Sequence, residues 1–293
     1  MRFILSRKGY DSQFGGNPSP VFKTTGQLLD GFLYSIPIPE CDSKGNSFDY
    51  HLPEPLIPIG FPINTRYFHL DPDIRPELHR ELPPNWCPIL GQSDAAAQHL
   101  KNQNVGINDI FLFFGLFQDV EWNRNYNQWV FGNSKPYHAI WGYMQIKDIK
   151  KVDDTVRKQY PWHPHCQIDY HSENQNNTLY IGSSGNLTLK GLDDCISYGT
   201  FKNDNKLRLT KIGAPLTQWS SQCLPWLDVS KQQSHMSYHD ENCFQKGCFQ
   251  AASRGQEFVT DDFDNESDIL EKVLNWFKDL VKLRTDFPRK LLQ

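Results

Sequence analysis

The strongest constraint on this chain is a pair of apolar runs, Ile110-Phe-Leu-Phe-Phe114 and Tyr137-His-Ala-Ile-Trp-Gly-Tyr-Met-Gln-Ile146. Both are rich in aromatic and branched side chains, and neither repeats with a helical period. Apolar character this continuous predicts strands buried on both faces. Val105-Gly-Ile-Asn-Asp109, just ahead of the first run, predicts a turn. The interval from Phe117 to Pro136 mixes polar and aromatic residues with Gly132-Asn-Ser, and reads as a hairpin loop or a small subdomain.

Elsewhere the pattern is of short strands and few helices. Pro37, Pro39, Pro53, Pro55, Pro58 and Pro62 forbid long helices within a proline-rich span, 26–90. Apolar residues keep recurring between these prolines, as in Phe32-Leu-Tyr-Ser-Ile-Pro and Leu56-Ile-Pro-Ile, so the span reads as an ordered excursion that wraps the core. Phe3-Ile-Leu5, Thr178-Leu-Tyr-Ile-Gly182, Lys206-Leu-Arg-Leu-Thr210 and Gln256-Glu-Phe-Val-Thr260 are further strand candidates. A helix is expected from Asp94 with Ser93 as its N-cap. A second, at 267–285, places Ile269, Leu270, Val273, Leu274, Phe277, Leu280 and Val281 on one face and packs them on the core. The expected fold is α+β: one large domain over 1–293 with a mixed, partly barrel-like sheet and a C-terminal amphipathic helix. The two apolar runs also resemble the strand pair of the PUA, ASCH and EVE barrels, with Asn108 where that group has glycine.

Bulk properties narrow the function classes. A net charge of −4 disfavours a protein that coats nucleic acid through broad electrostatics. The charge is uneven, however: Arg2, Arg7, Lys8 and Lys23 face only Asp11 in residues 1–25, while 257–271 carries seven acids and no cation. Aromatic residues make up 13% of the chain, more than a core of this size requires, so some rings are expected to line a pocket. Seven cysteines at irregular spacing do not form a secreted disulfide framework. Phe3-Ile-Leu5 is too short for a signal-peptide core and Ile110–Phe117 too short to span a bilayer. A soluble, cytoplasmic protein without a membrane partner is expected.

Chemically capable residues gather in six places. The opening strand leads straight into Ser6, Arg7, Lys8, Asp11 and Ser12 among glycines 9, 15 and 16, a mixture suited to holding an anion beside a polar reactant. In His69-Leu-Asp71-Pro-Asp73, extended backbone would point all three polar side chains the same way. Gly91-Gln92-Ser93 opens a helix whose N-terminus could receive an anion. His163-Pro-His165 suits proton transfer; zinc binding by this pair with Cys243 and Cys248 is not favoured, because the spacing fits no standard motif. Gln256-Glu257 places an amide and a carboxylate at the mouth of a strand, where they could read a base edge or serve as an acid or base, with Glu257 otherwise pairing with Arg7 or Arg254. His138, in an apolar strand with Tyr137, Trp141 and Tyr143, is either a core histidine or a ligand contact. Walker A, GxGxxG, GxSxG, HExxH and paired CxxC motifs do not occur.

Several stretches together carry a full-length resemblance: Ser6-Arg7-Lys8-Gly9-Tyr-Asp11-Ser12, His69-Leu-Asp71-Pro-Asp73, Gly91-Gln92-x-x-Ala-Ala-x-x-His-Leu, Asp109-x-Phe-Leu-Phe-Phe-Gly, His138-x-x-x-Gly and Gly255-Gln256-Glu257-Phe258-Val259. The chain resembles the nucleotide modification associated domain 3 family, linked to DNA base hypermodification in phages and bacteria. The resemblance implies a nucleotide or DNA base as substrate and other base-modification enzymes as partners; it fixes no reaction, cofactor or oligomeric state. On this reading Arg7 and Lys8 hold phosphate, Asp11 and Glu257 are acid/base groups, and His163 and His165 assist proton transfer. Ser6, Ser12, His69, Asp71, Gln92, His138, Trp141 and Gln256 line the substrate. The rival reading is a reader without turnover that stacks a modified base on Trp141.

Overall fold

The computed structural model describes residues 1–10, 16–22, 31–39, 57–58, 68–167, 176–220, 222–245, 248–253, 257–265 and 267–286. Asp11, Ser12, His171, Arg254 and Gln256 therefore lie outside the described residues, as do 26–30, 40–56 and 59–67 of the proline-rich span. The N-terminal half supplies strands β1 (Phe3–Arg7), β2 (Ser19–Phe22), β3 (Phe32–Leu33), β4 (Ile38–Pro39), β5 (Phe68–His69) and β6 (Ile89–Gln92). Helix α1 (Asp94–Asn102) leads into the long strands β7 (Ile110–Asn123) and β9 (Tyr137–Lys151), with β8 (Gln128–Phe131) between them. After helix α2 (Asp154–Gln159) come β10 (Thr178–Gly182), β11 (Tyr198–Phe201) and β12 (Gln218–Trp219). Strands β13 (Phe244–Gln245), β14 (Cys248–Gln250) and β15 (Glu257–Val259), helix α3 (Ser267–Val281) and β16 (Arg284–Thr285) complete the described chain.

The fold is α+β, built on one large mixed sheet whose path runs β15-β1-β7-β9-β10-β6. The described strands do not close into a barrel. Strand β7 is the spine. It pairs in parallel with β1 and then β2 along one edge, and antiparallel with β9 along the other. Its first eight residues are buried on both faces, which is why they read as an unbroken apolar run. The turn before it places Asn108 at φ +72, a left-handed conformation that asparagine tolerates where glycine would otherwise be needed.

Two sequence expectations are corrected. The interval from Phe117 to Pro136 is not a loop or subdomain, because β7 continues to Asn123 and β8 returns against it, with Trp122 opposite Trp129. This outer ribbon is half exposed, so it carries polar residues that resemble loop composition. Lys206–Thr210 forms no strand; it is a 3-10 turn at Asn205–Leu207 followed by single bridges from Arg208 to Ala139 and from Thr210 to Trp219. Ser93 occupies the α1 N-cap position but makes no capping side-chain bond.

Strand alternation gives the sheet two different faces. Phe3 stacks on Trp226 at 5.6 Å between ring centroids and meets Phe277 of α3 at 5.3 Å, so the C-terminal helix packs here as its apolar period requires. Leu112, Phe114, His138 and Phe258 belong to this aromatic face. The opposite face carries Ile4, Ser6 and Glu257, with Ser6 directly across from Glu257 in the β1–β15 register. The basic start of the chain and the acidic 257–271 segment meet at Arg2–Asp262, 3.2 Å. Six described cysteines are free, and no described helix is long and apolar enough to cross a membrane.

Candidate active site

Beyond β1 the chain keeps its pairing for one more residue: the Lys8 amide donates to the Phe114 carbonyl at 2.8 Å. That bond fixes where the Lys8 side chain starts. Its ammonium ends 3.4 Å from Asp71 Oδ2 and 3.9 Å from Glu257 Oε1, in a space where all three side chains are at most 9% exposed. Glu257 comes from β15, and Asp71 follows β5. Strand β6 supplies the rest of the frame. The Gln92 amide donates to Glu257 Oε1, and the Gly91 amide donates to Asp71 Oδ1 at 2.7 Å.

The histidines arrive from a 3-10 turn at Pro164–Cys166, just after α2. His163 Nε2 lies 3.5 Å from Asp71 Oδ1, and His165 Nε2 lies 3.9 Å from Asp71 Oδ2. Asn177, immediately before β10, holds His165 at two points: its Oδ1 pairs with His165 Nδ1 at 2.8 Å, and its Nδ2 donates to the His165 carbonyl at 2.8 Å. The His69 ring stands edge-on to His165 with centroids 5.6 Å apart. Gly91 makes this packing feasible, since a Cβ there would sit 2.3 Å from the His165 ring.

The two carboxylates sharing Lys8 are driven apart in acidity. Burial pushes Asp71 upward, but Lys8, His163 and His165 outweigh it and hold the group well below the usual carboxylate range. Burial also pushes Glu257 upward; Lys8, Ser6 and Gln92 only partly oppose it, the charge on Asp71 adds to it, and the pKa reaches about 7. Glu257 Oε2 makes no hydrogen bond among the described residues. His165 moves the other way: burial takes it well below its ordinary value despite the pull of Asp71, so its imidazole is neutral. The cluster thus pairs a fixed anion with a carboxyl group that exchanges its proton near neutrality.

Eight residues singled out in the sequence converge here: Ser6, Lys8, His69, Asp71, Gln92, His163, His165 and Glu257. Others lie elsewhere. Lys8 faces two carboxylates, Asp71 and Glu257, where the sequence reading gave it phosphate, and the expected partner Arg254 lies outside the described residues. Arg7 sits on the aromatic face, where its charge lowers the pKa of His138. His138 packs between Phe114 at 5.7 Å and Trp219 at 6.3 Å. Trp141 is 1% exposed, with the Arg75 guanidinium 5.3 Å from its ring. Asp73 departs from the direction expected of it: it pairs with His79 at 2.9 Å and accepts from the Trp86 indole at 3.0 Å. Cys243 flanks β13 and Cys248 opens β14; they belong to a separate three-stranded sheet, away from the histidine pair. Asn177 was not singled out, since its role depends on a contact between separate elements that no local pattern marks.

A cleft of about 560 Å³ opens between α1 and strands β9 and β10. Lys101 and Lys151 line it with Gln98, Asn176, Thr178 and Tyr180, and no carboxylate does among the described residues. Thr178 is directly opposite Gln92, so cleft and cluster share one face of the sheet. Burial raises the pKa of the Tyr180 hydroxyl, and the charge of Glu257 raises it further.

Comparison with known proteins returns one family: the model of nucleotide modification associated domain 3 matches residues 2–261. No curated protein and no solved structure matches the chain.

Proposed function

Since the chain belongs to the nucleotide modification associated domain 3 family, we propose that it is an enzyme that modifies the base of a nucleotide or of DNA, with Glu257 as its proton-transfer group. The observation that carries this reading is the buried Glu257 carboxyl, poised at about pH 7 beside Lys8 and Asp71. Structural cores rarely bury a carboxylate whose ionisation is this finely balanced, whereas acid/base catalysis asks for that balance. Glu257 takes a proton from the attacking group and gives it to the leaving group, while Lys8 stabilises negative charge that develops between the carboxylates. Asp71, permanently ionised, anchors Lys8, and His163 steadies Asp71.

The cleft supports a substrate of this class. Its volume lies within the range of small-molecule sites. Lys101 and Lys151 offer charge to phosphate, and Gln98 and Asn176 offer amides to a base edge. A reader that stacks a base on Trp141 has less support, because that ring is covered by Arg75 and Phe113.

The test is mass spectrometry of nucleosides from cells that carry the protein or its Glu257→Gln variant. A nucleoside that appears or disappears only with the intact protein is expected. Identical profiles from the two, with both proteins folded, would contradict the proposal.

A further inference from the structure

We propose that His69, Asp71 and His165 form a binding site for a divalent transition metal ion, with Zn²⁺ as its simplest occupant. Each residue offers one ligand atom, and these atoms all lie within 4.8 Å of one another. A tetrahedral zinc site with bonds of about 2.1 Å separates its ligands by about 3.4 Å, so closure needs side-chain movements of roughly an ångström. Two imidazoles and one carboxylate suit zinc and its first-row neighbours rather than magnesium or calcium, and three protein ligands leave a coordination position open.

The independent observation is the clamp that Asn177 places on His165. Because Asn177 Nδ2 donates to the His165 carbonyl, its Oδ1 must accept from His165 Nδ1, which therefore carries the ring proton. The other nitrogen, Nε2, is left as a lone pair, and this is the atom that faces Asp71 Oδ2 at 3.9 Å. A metal-bound histidine usually donates its far ring N–H to an oxygen acceptor, the part Asn177 Oδ1 plays here. Gly91 contributes by omission, since any side chain there would collide with the His165 ring. Lys8 does not fill the site: the Asp71 carboxylate offers about four acceptor positions, and Lys8 retains Glu257 when a metal takes one of them.

The site shares Asp71 with the proposed reaction, and its test reads binding and not turnover. Chelator-stripped protein is titrated with Co²⁺, whose visible absorption reports coordination geometry, and with Zn²⁺ by calorimetry, with Mg²⁺ as the control. One Co²⁺ per chain with a four- or five-coordinate spectrum is expected, together with a Tm raised by Zn²⁺ and unmoved by Mg²⁺. His165→Gln and His69→Gln are each expected to abolish the spectrum. Asn177→Ala, which keeps all three ligands, is expected to weaken binding by about 10-fold. If one variant fails to fold by circular dichroism, the other two decide. The proposal is overturned if the wild-type protein shows neither spectrum nor Tm rise, or if the folded variants bind Co²⁺ as tightly as wild type.

Discussion

Glu257 and Phe258 are chain neighbours, buried to 2% and 1% exposure, and they face opposite sides of the same short strand. Phe258 meets Phe114 at 6.1 Å, Trp219 at 6.1 Å and His239 at 4.7 Å between ring centroids. Glu257 meets Lys8 and Gln92, with Asp71 beyond. The first face is assembled the way a core is, ring against ring. On the second, burial opposes the charge it encloses. Each face also holds a histidine whose pKa burial has lowered. On the aromatic face His138 falls to about 3, its ring nitrogens without a well-formed hydrogen bond among the described residues and only the Leu216 carbonyl favouring the protonated ring. On the polar face His165 is oriented by Asn177 and turned to a carboxylate. Equal burial therefore marks a structural residue on one side and a chemical group on the other, and the partners tell them apart.

The comparison makes predictions of opposite sign. The largest loss is expected for Phe258→Ala, about 4 kcal/mol at any pH in chemical denaturation, because the aromatic face cannot collapse around the gap. Asp71→Asn is expected to cost about 3 kcal/mol at pH 7, since it leaves Lys8 buried with its nearer counter-charge removed. Glu257→Gln should do the reverse. A carboxyl whose folded pKa exceeds its unfolded value stabilises the fold fully below about pH 4.5 and progressively loses that contribution as the pH rises through about 7. The variant is therefore expected to match wild type at pH 4 and to exceed it by about 3 kcal/mol at pH 8, the free energy of raising the carboxyl pKa from 4.5 to about 7. A loss of stability at pH 8 would make Glu257 an ordinary ion-pair residue.

His138 tests the aromatic face in the same terms. Its folded pKa lies below its unfolded value, so its contribution is complete above about pH 6.5 and is lost as the pH falls toward about 3. His138→Phe is expected to raise stability at pH 7 by about 1 kcal/mol and to flatten that acid slope. The smallest effect on stability belongs to the cleft. Reversing charge in Lys101→Glu/Lys151→Glu is expected to weaken nucleotide binding about tenfold, near 1.4 kcal/mol, while leaving Tm unchanged.

The aromatic face was the more legible of the two. Ile110–Phe114 and the period of α3 announce burial because a core needs only apolar residues at the right spacing, and spacing is visible in a sequence. The outer half of β7 was not visible, because a half-exposed ribbon such as Glu121–Asn123 carries the same residues as a loop. On the polar face the residue types were legible and their partners were not. Lys8 and Glu257 stood out, but their meeting depends on a β1–β15 register joining positions about 250 apart, and Arg7 was an equally plausible partner from sequence. Asp73 looked equivalent to Asp71, yet it turns to His79 and Trp86. Asn177 gave no local signal at all.

The most direct test is a carboxyl ¹³C NMR titration of Glu-labelled, metal-free protein, with the Glu257 resonance assigned by its absence from Glu257→Gln. A midpoint near pH 7 is the result this account requires. A midpoint near 4.5, the value of an ordinary glutamate, would contradict the claim that this face of the sheet holds a proton-transfer site.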